Sequence, residues 1–241
     1  MSLTFKYLNN TYQFTDEATI KKVSSDERGN YFILDNTIFY PQGGGQPSDL
    51  GKIHKKEQEY KVTFVAFVDG DIRHYYLPTD SSLNPGDNIH LSVQEDNRIL
   101  NAKSHTAGHL VQAVIESKPN DLIALKGYHF PNGSYVEFMG TKPTDPDLFI
   151  KEVNDTINQF ITEGREIITK IVSLDELKKV SKYVPEGLPQ DKPLRIVIVD
   201  GINLAVPCGG THLNNTNELE SLSVSKIKSR KGNSKVSYVF S

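Results

Sequence analysis

Residues 96–117 read DNRILNAKSHTAGHLVQAVIES. Ile99, Ala102, Ala107, Leu110, Val111, Val114 and Ile115 recur at helical intervals, and the run halts before Pro119, so a helix is predicted over Asp96–Ser117. Before it the chain shows no helical pattern of any length. Tyr31–Tyr40, Tyr60–Val68, Arg73–Leu77 and Ile89–Val93 are runs of β-branched and aromatic residues divided by Gly, Pro and Asp turns. Short strands of this kind close most economically into a small antiparallel barrel, which leaves no exposed edge. After the helix, strands are predicted at 122–130 and 134–138, and a second helix at 147–163 ended by Gly164. A short helix follows, opened by the capping-box pattern Ser173-Leu174-Asp175-Glu176, and then strands at 195–199, 204–206, 222–227 and 236–240. The expectation is an α+β protein: a β-barrel-like domain over residues 1–92 and an α+β domain over residues 93–241.

The helix also carries chemistry. His105 and His109 are four residues apart, so their imidazoles lie one above the other on one helix face. The sole cysteine, Cys208, stands four residues before His212 in Cys208-Gly209-Gly210-Thr211-His212, where two glycines favour a tight turn that returns both side chains to one point. Three imidazoles and one thiolate form a tetrahedral set that suits Zn²⁺, and His105, His109, Cys208 and His212 are predicted as its ligands. A zinc protease is excluded, because it needs His-Glu-x-x-His and Thr106 stands where the glutamate would be.

Composition bounds the rest. With 241 residues, 37% hydrophobic and 24% charged, the chain has the balance of an ordinary soluble protein. One cysteine permits no internal disulfide and suits a reducing compartment. The start, Met1 to Tyr7, has no signal-peptide core, and no apolar run is long enough to span a membrane, so a cytoplasmic protein with no membrane partner is expected. No feature demands an obligate protein partner. A net charge of −3 argues against general coating of nucleic acid, yet Lys226, Lys228, Arg230, Lys231 and Lys235 crowd into ten residues around a Gly232-Asn233 turn signal. That segment reads either as a solvated hairpin tip or as a hairpin offering Lys228, Arg230 and Lys231 to phosphates.

The stretch Tyr40-Pro41-Gln42-Gly43-Gly44-Gly45-Gln46-Pro47 is neither a Walker loop nor a dinucleotide fingerprint. Consecutive glycines let a backbone approach a ligand closely, so Gly44 and Gly45 are read as ligand-facing; a plain turn is the alternative.

Three motifs together resemble one family. Arg98-x-x-Asn101-x-x-x-His105-Thr106-Ala107-x-His109-Leu110, Val206-Pro207-Cys208-Gly209-Gly210-Thr211-His212 and Thr37-Ile38-Phe39-Tyr40-Pro41-Gln42-Gly43-Gly44-Gly45-Gln46-Pro47 are similar to segments of AlaX. These are the free-standing relatives of the editing domain of alanyl-tRNA synthetase, and the length resembles the medium-sized type. The resemblance implies hydrolysis in trans of alanine tRNA mischarged with serine or glycine, with zinc as cofactor and the tRNA acceptor end as partner. It makes Thr106 and Gln46 candidates for the reaction pocket, since picking serine by its hydroxyl needs a hydrogen-bonding partner. Thr106 has an alternative as a helix residue bonding backbone. Glu137, on a strand-like segment, is a further candidate at the substrate. Leu125 stands where related domains tend to place a polar residue, which leaves serine against glycine open. Two other readings fit part of the pattern: editing of threonine tRNA, and a zinc-stabilised tRNA-binding module without turnover.

Overall fold

The computed structural model describes residues 4–78 and 82–241, so the first three residues of the start discussed above lie outside it. Two compact units emerge, residues 1–101 and 102–241, and the division falls inside the long helix.

In the first unit the strands are β1 (Thr4–Phe5), β2 (Thr15–Asp26), β3 (Gly29–Leu34), β4 (Asn36–Thr37), β5 (Gly51–Lys55), β6 (Gln58–Val68), β7 (Asp71–Leu77) and β8 (Asn88–Val93). Six of them close a barrel in the order β2-β3-β7-β6-β5-β8, every pairing antiparallel. Along β8, Ile89, Leu91 and Val93 are buried while Asn88 and His90 are exposed, the period-two alternation of a strand with one face in a core. Ile20, Phe32, Leu34, Ile53, Val62 and Ile72 fill the same core. Gly51 is required where β5 meets β8: a Cβ there would lie 2.2 Å from the Ser92 carbonyl oxygen.

His74 is one of several polar residues fully buried in this unit. Its Nδ1 lies 3.3 Å from the Phe32 carbonyl and its Nε2 lies 2.9 Å from Thr37 Oγ1. A carbonyl only accepts, so Nδ1 carries the proton and Nε2 accepts from the threonine hydroxyl. Burial lowers the imidazole pKa to about 4 from an ordinary 6.5. The neutral ring therefore stabilises the fold above about pH 6.5, and that contribution is lost as pH falls toward 4, by roughly 3 kcal/mol in all. Urea titrations of the wild type at pH 7 and 4.5 should show this loss, and His74→Asn should flatten the dependence. Equal slopes in the two proteins would refute the assignment.

Helix α1 (Glu95–Ser117) begins in the first unit and runs into the second. The second unit continues with β9 (Ile123–Tyr128), β10 (Tyr135–Met139), α2 (Pro146–Glu163), β11 (Ile167–Val172), α3 (Leu174–Val180), β12 (Leu194–Val199), β13 (Ala205–Pro207), β14 (Leu222–Arg230) and β15 (Asn233–Phe240). A four-stranded sheet has the order β14-β15-β10-β9, and a three-stranded one β11-β12-β13. Asp145 caps α2 by accepting the Leu148 N–H, Pro146 occupies its first turn, and Gly164 ends it in the left-handed conformation. Ala107, Leu110, Val111 and Val114 of α1 and Phe149, Val153 and Ile157 of α2 share a core with Val136, Phe138, Val224 and Val236 of the sheet. On the opposite sheet face Lys126, Tyr128, Lys228 and Lys235 are exposed. Ser173 and Glu176 form the expected capping box.

The hairpin turn lies one residue earlier than its sequence suggested. Arg230 pairs with Asn233, so Lys231 and Gly232 are the two loop residues, and both have positive φ as a type I′ turn demands. Gly43 and Gln46 are likewise bridged around Gly44 and Gly45, both of positive φ. The turn alone therefore explains two of the three consecutive glycines.

Candidate metal centre

The second unit builds the centre from α1 and the loop that leaves β13. His105 and His109 stand one turn apart on α1 with ring centroids separated by 5.0 Å. The 208–212 segment is irregular, as the glycine pair predicts. Arg195 of β12 shapes it: its Nη1 donates to the carbonyls of Cys208 (2.9 Å) and Gly210 (3.1 Å), and the Cys208 N–H donates back to the Arg195 carbonyl. The Gly210 N–H donates to Cys208 Sγ at 3.3 Å, which favours the thiolate.

The four donors converge. Cys208 Sγ lies 3.4 Å from His105 Nε2 and 3.3 Å from His212 Nε2, and one ligand atom from each of the four residues lies within 4.8 Å of all the others. Around tetrahedral zinc, with Zn–S near 2.3 Å and Zn–N near 2.05 Å, a sulfur–nitrogen edge measures roughly 3.5 Å. The residues therefore fit a metal ion of that kind.

Electrostatics agree. Burial holds His109 at a pKa of about 3, and burial followed by the neighbouring imidazoles holds His105 and His212 well below the ordinary value. The rings are thus neutral and carry lone pairs for a cation. Burial pushes the Cys208 thiol up, so it is the donor that must surrender a proton on binding.

Thr106 sits behind the ligands. Its Oγ1 accepts the Leu213 N–H at 3.0 Å and lies 3.5 Å from His212 Nδ1. With His212 Nε2 turned to the sulfur, that placement orients the ring from its far side, as outer partners of metal-bound histidines do.

Sequence reasoning missed His129. Its ring stacks on His105 with centroids 4.4 Å apart. Tyr238 fixes it: the phenol donates to the Ser104 carbonyl at 2.9 Å, so it accepts from His129 Nδ1 at 2.8 Å, and Nε2 carries the lone pair. Two glycines make the room, since a Cβ on Gly127 would lie 1.9 Å from His129 Nε2 and one on Gly108 2.3 Å from the same ring. Gly127→Ala should therefore displace His129 and lower metal affinity about tenfold, the lower range for a partner outside the ligand set, with the fold retained by circular dichroism. Unchanged affinity in a competitive chelator titration would show that His129 gives the site no support.

The remaining candidates lie elsewhere. Val136 and Phe138 of β10 face the core, so Glu137 lies on the opposite sheet face. There it pairs with Lys126 at 3.2 Å and accepts from Asn233, and these bonds hold its carboxyl below the usual range. Lys228, Arg230 and Lys231 are exposed at the β14–β15 hairpin. Gly44, Gly45 and Gln46 belong to the barrel unit, where Gln46 is fully buried. Leu125 is the unpaired residue of a bulge, between Ala124, opposite Phe138, and Lys126, opposite Glu137.

The family model for class II (A) tRNA synthetases matches residues 2–97. An alanyl-tRNA editing protein AlaX-M of Methanosarcina acetivorans is 32% identical over 234 residues, 93% of each chain, and one of Methanosarcina mazei is 31% identical over 93% of this chain and 90% of its own. An alanine–tRNA ligase of Prochlorococcus marinus is 30% identical over 86% of this chain, which there spans 23% of the ligase. Identity at this level along almost the whole length, together with the four converging donors, places the chain in the AlaX-M family of alanyl-tRNA editing proteins.

Proposed function

We propose that the protein is an aminoacyl-tRNA deacylase that acts in trans in the cytoplasm, hydrolysing the ester of alanine tRNA mischarged with serine or glycine. The observation that carries this reading is the convergence of three buried imidazoles, His105, His109 and His212, with the half-buried Cys208, in a chain that aligns over 93% of its length with an editing protein. The quartet holds Zn²⁺, which when bound polarises oxygen ligands and makes a carbonyl more electrophilic. The chain's own residues do the rest. Arg195 fixes the Cys208 loop, and Thr106 orients His212.

Gln46 with the Gly44–Gly45 turn is assigned to the amino acid, because discrimination of serine from alanine needs a group that bonds the added hydroxyl. Glu137 serves the substrate face by holding Lys126, and Lys228, Arg230 and Lys231 meet phosphates. The test is release of labelled amino acid from alanine tRNA charged with serine, glycine or alanine. Multiple turnovers on serine or glycine with alanine spared support the reading. No turnover by folded, zinc-loaded protein on any of the three would overturn it. Normal deacylation by Gln46→Ala would remove the glycine turn from the site.

A further inference from the structure

The face of the four-stranded sheet turned away from the shared core has a composition that its fold does not require. Strand alternation puts Tyr128 of β9 and Tyr135 of β10 side by side on that face, directly paired in register. Their rings stack at 5.2 Å and 18°, and Phe130 stacks on Tyr128 from the next turn of chain at 4.5 Å and 15°. The far end of this row is closed by a cation, since Lys235 Nζ lies 3.4 Å over the Tyr135 ring. Tyr128 remains 37% exposed.

Positive charge predominates on this face. Lys126, Lys226, Lys228, Arg230 and Lys235 project from it, with Lys231 at the hairpin tip, against the carboxylate of Glu137, which Lys126 already engages. Lys226, Lys228, Arg230 and Lys231 have no ion-pair partner among the described residues, and Lys228 stands directly opposite Lys235. Like charges directly opposed across a ladder destabilise it. In a protein of net charge −3, such a concentration is complementary to an anion.

We infer that this face is a platform for single-stranded nucleic acid: a base extends the stacked Phe130–Tyr128–Tyr135 row at its Phe130 end, with Tyr128 backing the Phe130 ring, and phosphates follow the cations of β15 and β14. Aromatic rings supply affinity for any base, and basic side chains track the backbone. A four-stranded sheet with exposed aromatics is a geometry that reads unpaired RNA. The occupant is the unpaired 3′ end of the acceptor strand, a statement that rests on the deacylase reading above. Position supports it, because Tyr128 is followed in the chain by His129, whose ring lies on His105. A strand laid on the aromatic row is thereby led round the β9 edge to the metal centre, and its terminal ester arrives where the four donors converge.

The experiment uses a fluorescent RNA hairpin with a four-nucleotide unpaired 3′ extension, beside its blunt counterpart, and the intact protein. Wild type should prefer the extended hairpin. Tyr128→Ala should weaken that binding by roughly tenfold or more, Tyr128→Phe should retain it, and Lys228→Glu should weaken both RNAs and flatten the salt dependence. With serine-charged alanine tRNA, Tyr128→Ala should raise KM and leave kcat near the wild-type value. If wild type deacylates this tRNA while Tyr128→Ala and Lys228→Glu match it in binding and KM, the platform is refuted and the deacylase reading stands. If wild type prefers the extension through Tyr128 but deacylates nothing, the platform stands and the deacylase reading fails. Equal affinity for the two hairpins overturns the platform.

Discussion

Replacement of His109 by alanine will abolish tight metal binding and lower deacylation by at least a hundredfold. The expectation follows from the arrangement of the donors. Three imidazoles and one thiol share a pocket in which each ligand atom lies within 4.8 Å of the others, and the imidazoles are buried. Loss of a partner outside a ligand set already reduces metal affinity ten- to a hundredfold, so loss of a ligand exceeds that. Metal content per chain by mass spectrometry, after dialysis against a weak chelator, gives the first readout; steady-state deacylation gives the second. A His109→Ala protein that keeps one zinc per chain would remove this residue from the set.

The same electrostatics predict how wild-type binding depends on pH. Burial keeps His109 neutral down to about pH 3 and holds His105 and His212 well below the ordinary value, while it raises the Cys208 thiol. Over the neutral range each ion bound should release one proton, from Cys208, and affinity should rise about tenfold per pH unit. Calorimetry in buffers of different ionisation enthalpy counts that proton. A release of two or more would mean that the free site holds protonated imidazoles.

The metal quartet was legible because both halves are local patterns: a four-residue helical spacing and a glycine turn between Cys208 and His212. The parts of the centre that join distant segments were not. His129 is a lone histidine with no spacing partner, and the two glycines that admit it, Gly108 and Gly127, come together only when α1 packs on the sheet. Arg195 lies 13 residues before the loop it clamps, inside an ordinary strand. Strands were legible where one face alternates, as in β8, and invisible where the core takes little. β2 commits chiefly Ala18 and Ile20 to the interior over twelve residues, and β5 commits Ile53 beside a glycine. β11 leaves Ile171 66% exposed, so apolar pattern and burial disagree there. Glu137 shows the same limit at one position: residue type suggested chemistry, but the face it occupies is set by the register of β10 against β15.

Arg98→Ala should destabilise the N-terminal unit by about 3–5 kcal/mol, enough to bring it near unfolding. Arg98 and Asp49 are both fully buried. The guanidinium donates from Nε to the two carboxylate oxygens at 2.9 and 3.0 Å and from Nη2 to Oδ2 and the Ile38 carbonyl, while Nη1 reaches the Thr11 carbonyl. Asp49 in turn accepts the Tyr40 N–H at 2.6 Å, and its own N–H donates to the Tyr40 carbonyl, which pins both ends of the glycine segment. One side chain from the first turn of α1 thus ties together residues 11, 38, 40 and 49. Desolvation opposes the Asp49 charge, and what offsets it is the fork of Arg98; with the fork removed, the carboxylate stays buried and unpaired. Arg98→Lys should recover little, since one ammonium cannot supply three donor directions at fixed angles. Asp49→Asn should also be severe, because it strands the cation instead. An Arg98→Met/Asp49→Leu double variant should be more stable than either single variant, as apolar groups of similar size remove both buried charges. Urea unfolding of the four proteins, with the wild type beside them, decides the matter. A midpoint for Arg98→Ala within the error of the wild type, or additive losses in the double variant, would show that this pair does not hold the unit together.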